Sequence, residues 1–154
     1  MLSQTSEYAL RAVLHLAAYE DDAPVRVGEI AEALNVPQNY LSKVLHVLAR
    51  EKVLKSLRGP TGGFNLRVPA DQLTLRRVVA PFDPDETHMQ CLLRRQPCDE
   101  DDPCIAHYEW KRIAQQVRDF FNTVTIQELL DEAERHPGRR PADLVSARHE
   151  PARK

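Results

Sequence analysis

Hydrophobic positions recur at helical spacing in three successive stretches near the start of the chain. Ala9, Leu10, Val13, Leu14, Leu16 and Ala17 predict a helix over about 5–19, ended by Asp21-Asp22-Ala23-Pro24. Ile30, Ala31 and Leu34 predict a short second helix over 28–34, whose start lacks a Ser, Thr or Asp cap. Leu41, Val44, Leu45 and Leu48 predict a third over 37–51, with Pro37 in its first turn. Asn35 can take the left-handed conformation that a sharp turn between the last two requires. Two short helices on a three-residue turn, with small Ala31 where they cross, read as a helix-turn-helix.

The period then changes. Val53-Leu54-Lys55-Ser56-Leu57 alternates as a strand, Arg58-Gly59-Pro60-Thr61-Gly62-Gly63 is a turn, and Phe64-Asn65-Leu66-Arg67-Val68 returns. Three of the chain's five glycines fall in that turn, which makes it a tight hairpin tip, or wing. Thr74 is placed to cap a helix holding Leu75, Val78, Val79 and Phe82, cut short by Pro81 and Pro84. Residues 83–104 show no periodicity and form a loop of a length that is usually functional. A long helix is predicted over 105–122, where Ile113, Val117, Phe120 and Val124 make a coiled-coil-like seam. Thr125-Ile126-Gln127-Glu128 reads as a capping box opening a final helix with Leu129, Leu130 and Ala133. The expected fold is mainly α with a small β-hairpin: a winged helix-turn-helix plus a long dimerisation helix. Its segments are a DNA-binding head at 1–82, a cysteine loop at 83–104, the two last helices at 105–135 and a disordered tail at 136–154.

Composition narrows the function. The chain has 154 residues, 42% hydrophobic and 29% charged, with no run long enough to span a membrane. Its start has no basic segment of the signal-peptide type, so a cytoplasmic location is expected. The net charge of −2 conceals two opposed blocks. Between 38 and 77, Lys43, Arg50, Lys52, Lys55, Arg58, Arg67, Arg76 and Arg77 face only Glu51 and Asp71, a net of +6. Between 81 and 109, eight acids face only Arg94 and Arg95, a net of −6. The positive block coincides with the helix-turn-helix and wing, the shape that fits duplex DNA.

On the third helix Gln38, Asn39, Tyr40, Ser42, Lys43, His46 and Arg50 are the candidate DNA contacts. Gln and Asn bond adenine edges bidentately, and Lys43 suits guanine or phosphate. Arg58, with Gly59 and Thr61 beside it at the wing tip, suits the minor groove or phosphate. No nucleophile–base pair, phosphate loop or carboxylate pair appears, so an enzyme is not expected. Three cysteines, an odd number, argue against a disulfide framework. Cys91, Cys98 and Cys104 lie on one polar, acid-rich loop where packing gives no reason for them, and His107 follows one helical turn after Cys104. Such ligands suit an iron–sulfur cluster or tetrahedral zinc, and spacing alone does not choose between them. Direct oxidation of the thiols without metal is the other chemistry they allow.

Several motifs resemble the Rrf-two family of bacterial regulators, which includes the iron–sulfur proteins IscR and NsrR. They are Glu7-Tyr8-Ala9-Leu10-Arg11, Pro37-Gln38-Asn39-Tyr40-Leu41-Ser42-Lys43-Val44-Leu45, the wing Ser56-Leu57-Arg58-Gly59-Pro60-Thr61-Gly62-Gly63-Phe64, Cys104-Ile105-Ala106-His107-Tyr108-Glu109-Trp110, and Asn122-Thr123-Val124-Thr125-Ile126-Gln127-Glu128-Leu129. The resemblance covers about 1–133. It implies a homodimer crossing its long helices on a palindromic operator, and a repressor sensing redox, iron–sulfur status or nitric oxide. It also implies that Cys91, Cys98 and Cys104 are cluster ligands. His107 matches the histidine that completes a 2Fe–2S cluster in IscR-like members, the preferred reading. Glu7 lies where NsrR-like members offer an aspartate from the other subunit to a 4Fe–4S cluster, though a carboxylate in a first helical turn also simply stabilises that helix. The first cysteine spacing, six residues, departs from the usual five, and Pro81 interrupts a helix the family normally completes.

Overall fold

The computed structural model describes residues 2–19, 23–83, 91–93 and 99–136. Six helices and one hairpin follow in the order α1 (Gln4–Ala17), α2 (Val27–Leu34), α3 (Gln38–Arg50), β1 (Leu54–Leu57), β2 (Gly63–Leu66), α4 (Leu75–Val79), α5 (His107–Thr123) and α6 (Ile126–Arg135). The expected mainly helical winged helix-turn-helix is present. Of the tail expected at 136–154 only His136 lies within the described residues.

Local chemistry sets the helix ends. Ser3 caps α1 by accepting from the Ser6 amide, so the helix starts at Gln4, one residue before the expected Thr5. α2 starts without a side-chain cap, as its sequence implies. It ends at Asn35 in the left-handed region (φ 51°), with Val36 N–H donating to Ala31 and Asn35 N–H to Glu32. α3 closes the same way: Lys52 is left-handed (φ 61°), and Val53 N–H donates to Leu48 while Lys52 N–H donates to Ala49. This is the six-to-one, five-to-two pattern of a Schellman ending. It turns Val53 into the core and starts β1 at Leu54, one residue later than the alternation suggests.

The hairpin is antiparallel, with Leu54 opposite Leu66 and Leu57 opposite Gly63. A third edge, invisible to periodicity, is supplied by Val25, which exchanges both backbone hydrogen bonds with Phe64 at 2.9 Å. A Cβ on Gly63 would stand 2.4 Å from the Val25 carbonyl oxygen, so this crossing requires glycine. A short 3₁₀ turn at Ala70–Gln72 leads into α4. Thr74 holds the N-cap position of α4 but makes no side-chain capping bond, contrary to expectation. Its backbone pairs with Thr125 instead, flanked by Leu75 N–H to Val124 and Ile126 N–H to Leu73. Phe82 lies beyond α4, which stops before Pro81.

That last pairing brings the C-terminal helix back to the head. Ile126 is fully buried in the same cluster as Ala9, Ile30, Leu41, Leu45, Leu48 and Phe64, while Leu129 and Leu130 pack on its edge. Each fully buried leucine or isoleucine there contributes roughly 1.5–3 kcal/mol. α6 carries the expected capping box, Thr125 accepting from the Glu128 amide and Glu128 accepting from the Thr125 amide. α5 begins at His107, two residues later than expected, leaving Ile105 wholly exposed.

Candidate nucleic-acid interface and cysteine site

The third helix buries Leu41, Val44, Leu45 and Leu48 and so turns the opposite side outward. Gln38, Asn39, Lys43, His46 and Arg50 are exposed there, and Ser42 is half-buried. Their surroundings differ. Gln38 lies over Gly28 of α2, where an added Cβ would stand 3.7 Å from its Oε1. His46 sits one turn after Ser42 with Nδ1 2.7 Å from the Ser42 carbonyl oxygen. A carbonyl only accepts, so Nδ1 carries the proton and Nε2 is left outward. The His46 ring also meets Phe64 of β2 edge-on at 5.3 Å, which seats the recognition helix on the hairpin. Arg50 is paired with Glu51 at 3.6 Å. Tyr40 is the exception: its hydroxyl is 2.6 Å from that of Thr5 and its ring meets Tyr8 edge-on at 5.9 Å, so it is engaged by α1.

The wing presents Arg58, Gly59 and Thr61 at an exposed tip. Gly59 has φ of 111°, which a side chain would strain, and a Cβ on Gly62 would stand 2.4 Å from the Leu57 carbonyl oxygen. Arg26, just before α2, donates from Nη2 to the Pro60 carbonyl at 2.8 Å and so ties the tip to the helix-turn-helix. Sequence reasoning did not single out Arg26. Thirty-four positions separate it from Pro60, and no periodic signal links the two.

Of the predicted ligands, the fold brings Cys91 and Cys104 together, with their sulfurs 3.5 Å apart and unbonded. Cys91 is buried and Cys104 half-buried. His107 is 3% exposed, its amide donates to the Cys104 carbonyl at 3.0 Å, and its ring meets Tyr108 edge-on. Cys98 lies outside the described residues. Glu7 pairs with Arg11 at 2.5 Å in the first turns of α1. Among the described residues no three His, Cys, Asp or Glu side chains converge as a metal cage. The two thiols nevertheless fit one: tetrahedral ligation with metal–sulfur bonds of about 2.3 Å sets two sulfurs about 3.8 Å apart. A disulfide needs about 2.05 Å.

The end of the loop is tied to α5 by Glu100 and Lys111. The hydrogen bond from Lys111 and its positive charge hold the Glu100 carboxyl below its ordinary value, with a smaller contribution from His107. On α5 itself Ile113, Val117 and Phe120 are 43, 42 and 47% exposed, an apolar row left open among the described residues. No helix among the described residues is long and apolar enough to cross a membrane.

Known proteins are similar to this chain over most of its length. An HTH-type transcriptional regulator of Aquifex aeolicus, provisionally so named, is 37% identical over 138 residues, 88% of this chain and 95% of that protein. HTH-type transcriptional regulator IscR of Pectobacterium carotovorum is 28% identical over 133 residues, 86% of this chain and 80% of the relative. The solved structure of CymR, the global cysteine regulator of B. subtilis, matches with a TM-score of 0.72 at 22% identity, covering 86% of this chain and 97% of that one. The family described as Rrf2, iron-dependent transcriptional regulator, matches residues 2–132. With the winged helix, the basic recognition face and this match in agreement, the chain belongs to the Rrf2 (Rrf-two) family, whose members are transcription regulators and not enzymes.

Proposed function

We propose that the chain is a cytoplasmic, homodimeric repressor that reads a palindromic operator and responds to redox state, iron–sulfur status or nitric oxide through an iron–sulfur cluster, 2Fe–2S in preference to 4Fe–4S. The observation that carries the cluster is the 3.5 Å approach of the Cys91 and Cys104 sulfurs, thirteen residues apart, with His107 buried one turn on. Cys91, Cys98, Cys104 and His107 are the ligands of this reading, and Glu7 of a partner copy is the alternative fourth. A bound cluster supplies one-electron redox chemistry. The chain's own residues do the rest. Ligation fixes the loop between Asp83 and His107, and Glu100 with Lys111 anchors its end to α5. The exposed row Ile113, Val117 and Phe120 supports pairing of two copies along α5. Gln38, Asn39, Ser42, Lys43, His46, Arg50, Arg58, Gly59 and Thr61 then meet two half-sites about one helical turn apart.

The same thiol approach favours a second reading in which Cys91 and Cys104 are oxidised without metal; zinc in place of the cluster is the third. Anaerobic purification, visible absorption and native mass spectrometry separate them. A brown dimer carrying iron and sulfide is the expected result. A colourless protein with stoichiometric zinc would replace the cluster, and so would a metal-free one that loses two hydrogen atoms to an added oxidant as the Cys91–Cys104 disulfide forms. Selection of duplexes from random DNA tests the operator, and an outcome with no enriched palindrome overturns it.

A further inference from the structure

Among the described candidate contacts on the recognition helix, Tyr40 is the one whose hydroxyl is hydrogen-bonded to α1, at the exposed edge between the two helices. Its hydroxyl shares a 2.6 Å hydrogen bond with Thr5, and its ring lies edge-on against Tyr8. Thr5 and Tyr8 are one turn apart on α1, and Gln4 Nε2 donates to the Tyr8 hydroxyl at 3.0 Å, steadying that ring. The first turn of α1 therefore grips the first turn of α3 at two points.

The first turn of α1 is itself held from a distance. The amide of Ser3, its N-cap, donates to Asp83 Oδ2 at 2.7 Å across eighty positions of sequence. Asp83 is 8% exposed. It is fixed from both sides: its amide donates to the Val79 carbonyl at 2.9 Å, and its own carbonyl accepts from Arg76 Nη1 at 3.1 Å. A buried carboxylate at a helix N-terminus meets otherwise unpaired amides and the positive end of the helix dipole, so this is a strong, directional tie. Asp83 is also the residue from which the chain departs towards Cys91.

We infer that Tyr40 and Asp83 are positioning residues for DNA recognition: Asp83 sets the start of α1 from the root of the cysteine loop, and α1 sets the recognition helix through Thr5, Tyr8 and Tyr40. Tyr40 acts on DNA through the placement of Gln38 and Asn39, its neighbours in the same turn, and not by touching bases or phosphates. The inference rests on the DNA-binding reading above.

The probe is the duplex enriched from random DNA by the wild-type chain, with an unrelated duplex of equal length as control. Tyr40→Phe and Thr5→Val remove the same hydrogen bond from its two ends. Each is expected to weaken binding to the enriched duplex about three- to tenfold, the loss of one hydrogen bond. The double variant should be no worse than either single one, because the two share one interaction. Asp83→Asn keeps the shape and drops the charge; it should cost about two- to fivefold, and add nothing to Tyr40→Phe. Binding to the unrelated duplex should stay within about twofold in every variant, which a loss of fold or of a phosphate contact would not allow. A silent Thr5→Val beside an impaired Tyr40→Phe, or equal loss on both duplexes, overturns the role of Tyr40. A silent or additive Asp83→Asn overturns the link to the loop. Failure of the wild-type chain to enrich any duplex would instead overturn the DNA-binding reading.

Discussion

The recognition head and the cysteine loop are held by different kinds of force. In the head, helix ends, hairpin and third edge close on backbone hydrogen bonds, and the apolar side chains beneath them are almost wholly buried. In the described parts of the loop, the ties are mostly between side chains: the Cys91–Cys104 approach, Glu100 with Lys111, and Asp99 accepting from the Asp101 amide. Backbone ties and buried area persist whatever the cell's redox state. Thiol contacts and exposed ion pairs depend on ligand, oxidant and salt. On the proposed function, shape belongs to the head and response to the loop.

The largest effect should come from the head. Leu41 is fully buried on the inner face of the recognition helix. Leu41→Ala is expected to cost about 2–5 kcal/mol, the transfer term plus a cavity, read as the shift in a urea midpoint. Gly63→Ala follows, since its Cβ meets the Val25 carbonyl. Displacing that edge should cost about 1–3 kcal/mol and weaken DNA binding with it. By contrast Cys104→Ser, on the half-buried thiol, should change stability by less than about 1 kcal/mol while abolishing visible absorption of the anaerobically purified protein. A Cys104→Ser variant as unstable as Leu41→Ala would erase the distinction between the regions.

These differences also explain what could be read from the sequence. The core faces of α1, α2 and α3, the glycine-rich tip and the Thr125–Glu128 box are local patterns, and each appears where its pattern stands. What escaped were features made by residues far apart or by side chains that carry no signal. Val25 gains its strand role only from Phe64, Arg26 its role only from Pro60, and Thr74 its pairing only from Thr125. Lys52 adopts the left-handed ending that Asn35 advertises and lysine does not. In the site, Cys91 and Cys104 come within 3.5 Å across thirteen positions, an approach their spacing does not announce. The engagement of Tyr40 by Thr5 and Tyr8 is tertiary, and nothing in the spacing of α3 announces it.

A smaller effect tests whether the two regions speak through charge. Asp99, Glu100, Asp101 and Asp102 are exposed, next to a chain whose DNA face is basic. If this acidic run competes with phosphates for that face, replacing all four by Asn or Gln should raise the DNA affinity of cluster-free protein about threefold at low salt. The gain should vanish at roughly 0.3 M salt, where screening is short-ranged. Unchanged affinity at low salt would confine the coupling to contacts, leaving Asp83 and α1 as the path.

The smallest effects are titrations, and they separate the regions by pH. Burial holds His15 of α1 below its ordinary value of 6.5, consistent with a buried Nε2 that lacks a hydrogen-bond partner. The unfolded chain therefore binds that proton first. This contribution is intact above pH 6.5 and is lost progressively as pH falls from there to the folded value. Glu100 is also depressed, but as an acid with an ordinary value of 4.5. Its contribution is present above 4.5 and is lost only as pH falls below that through its folded value. Acid should thus act on the head before the loop. His15→Leu should flatten the pH dependence of the urea midpoint just below pH 6.5, while Glu100→Gln leaves the slope there unchanged. Glu100→Gln should flatten only the more acid limb, and more weakly, because both members of its ion pair are exposed and salt screens them. A change in the pH slope near neutrality on Glu100→Gln, rather than a constant offset, would mean that the loop bears on the head's titration after all, through the same α5 that joins them.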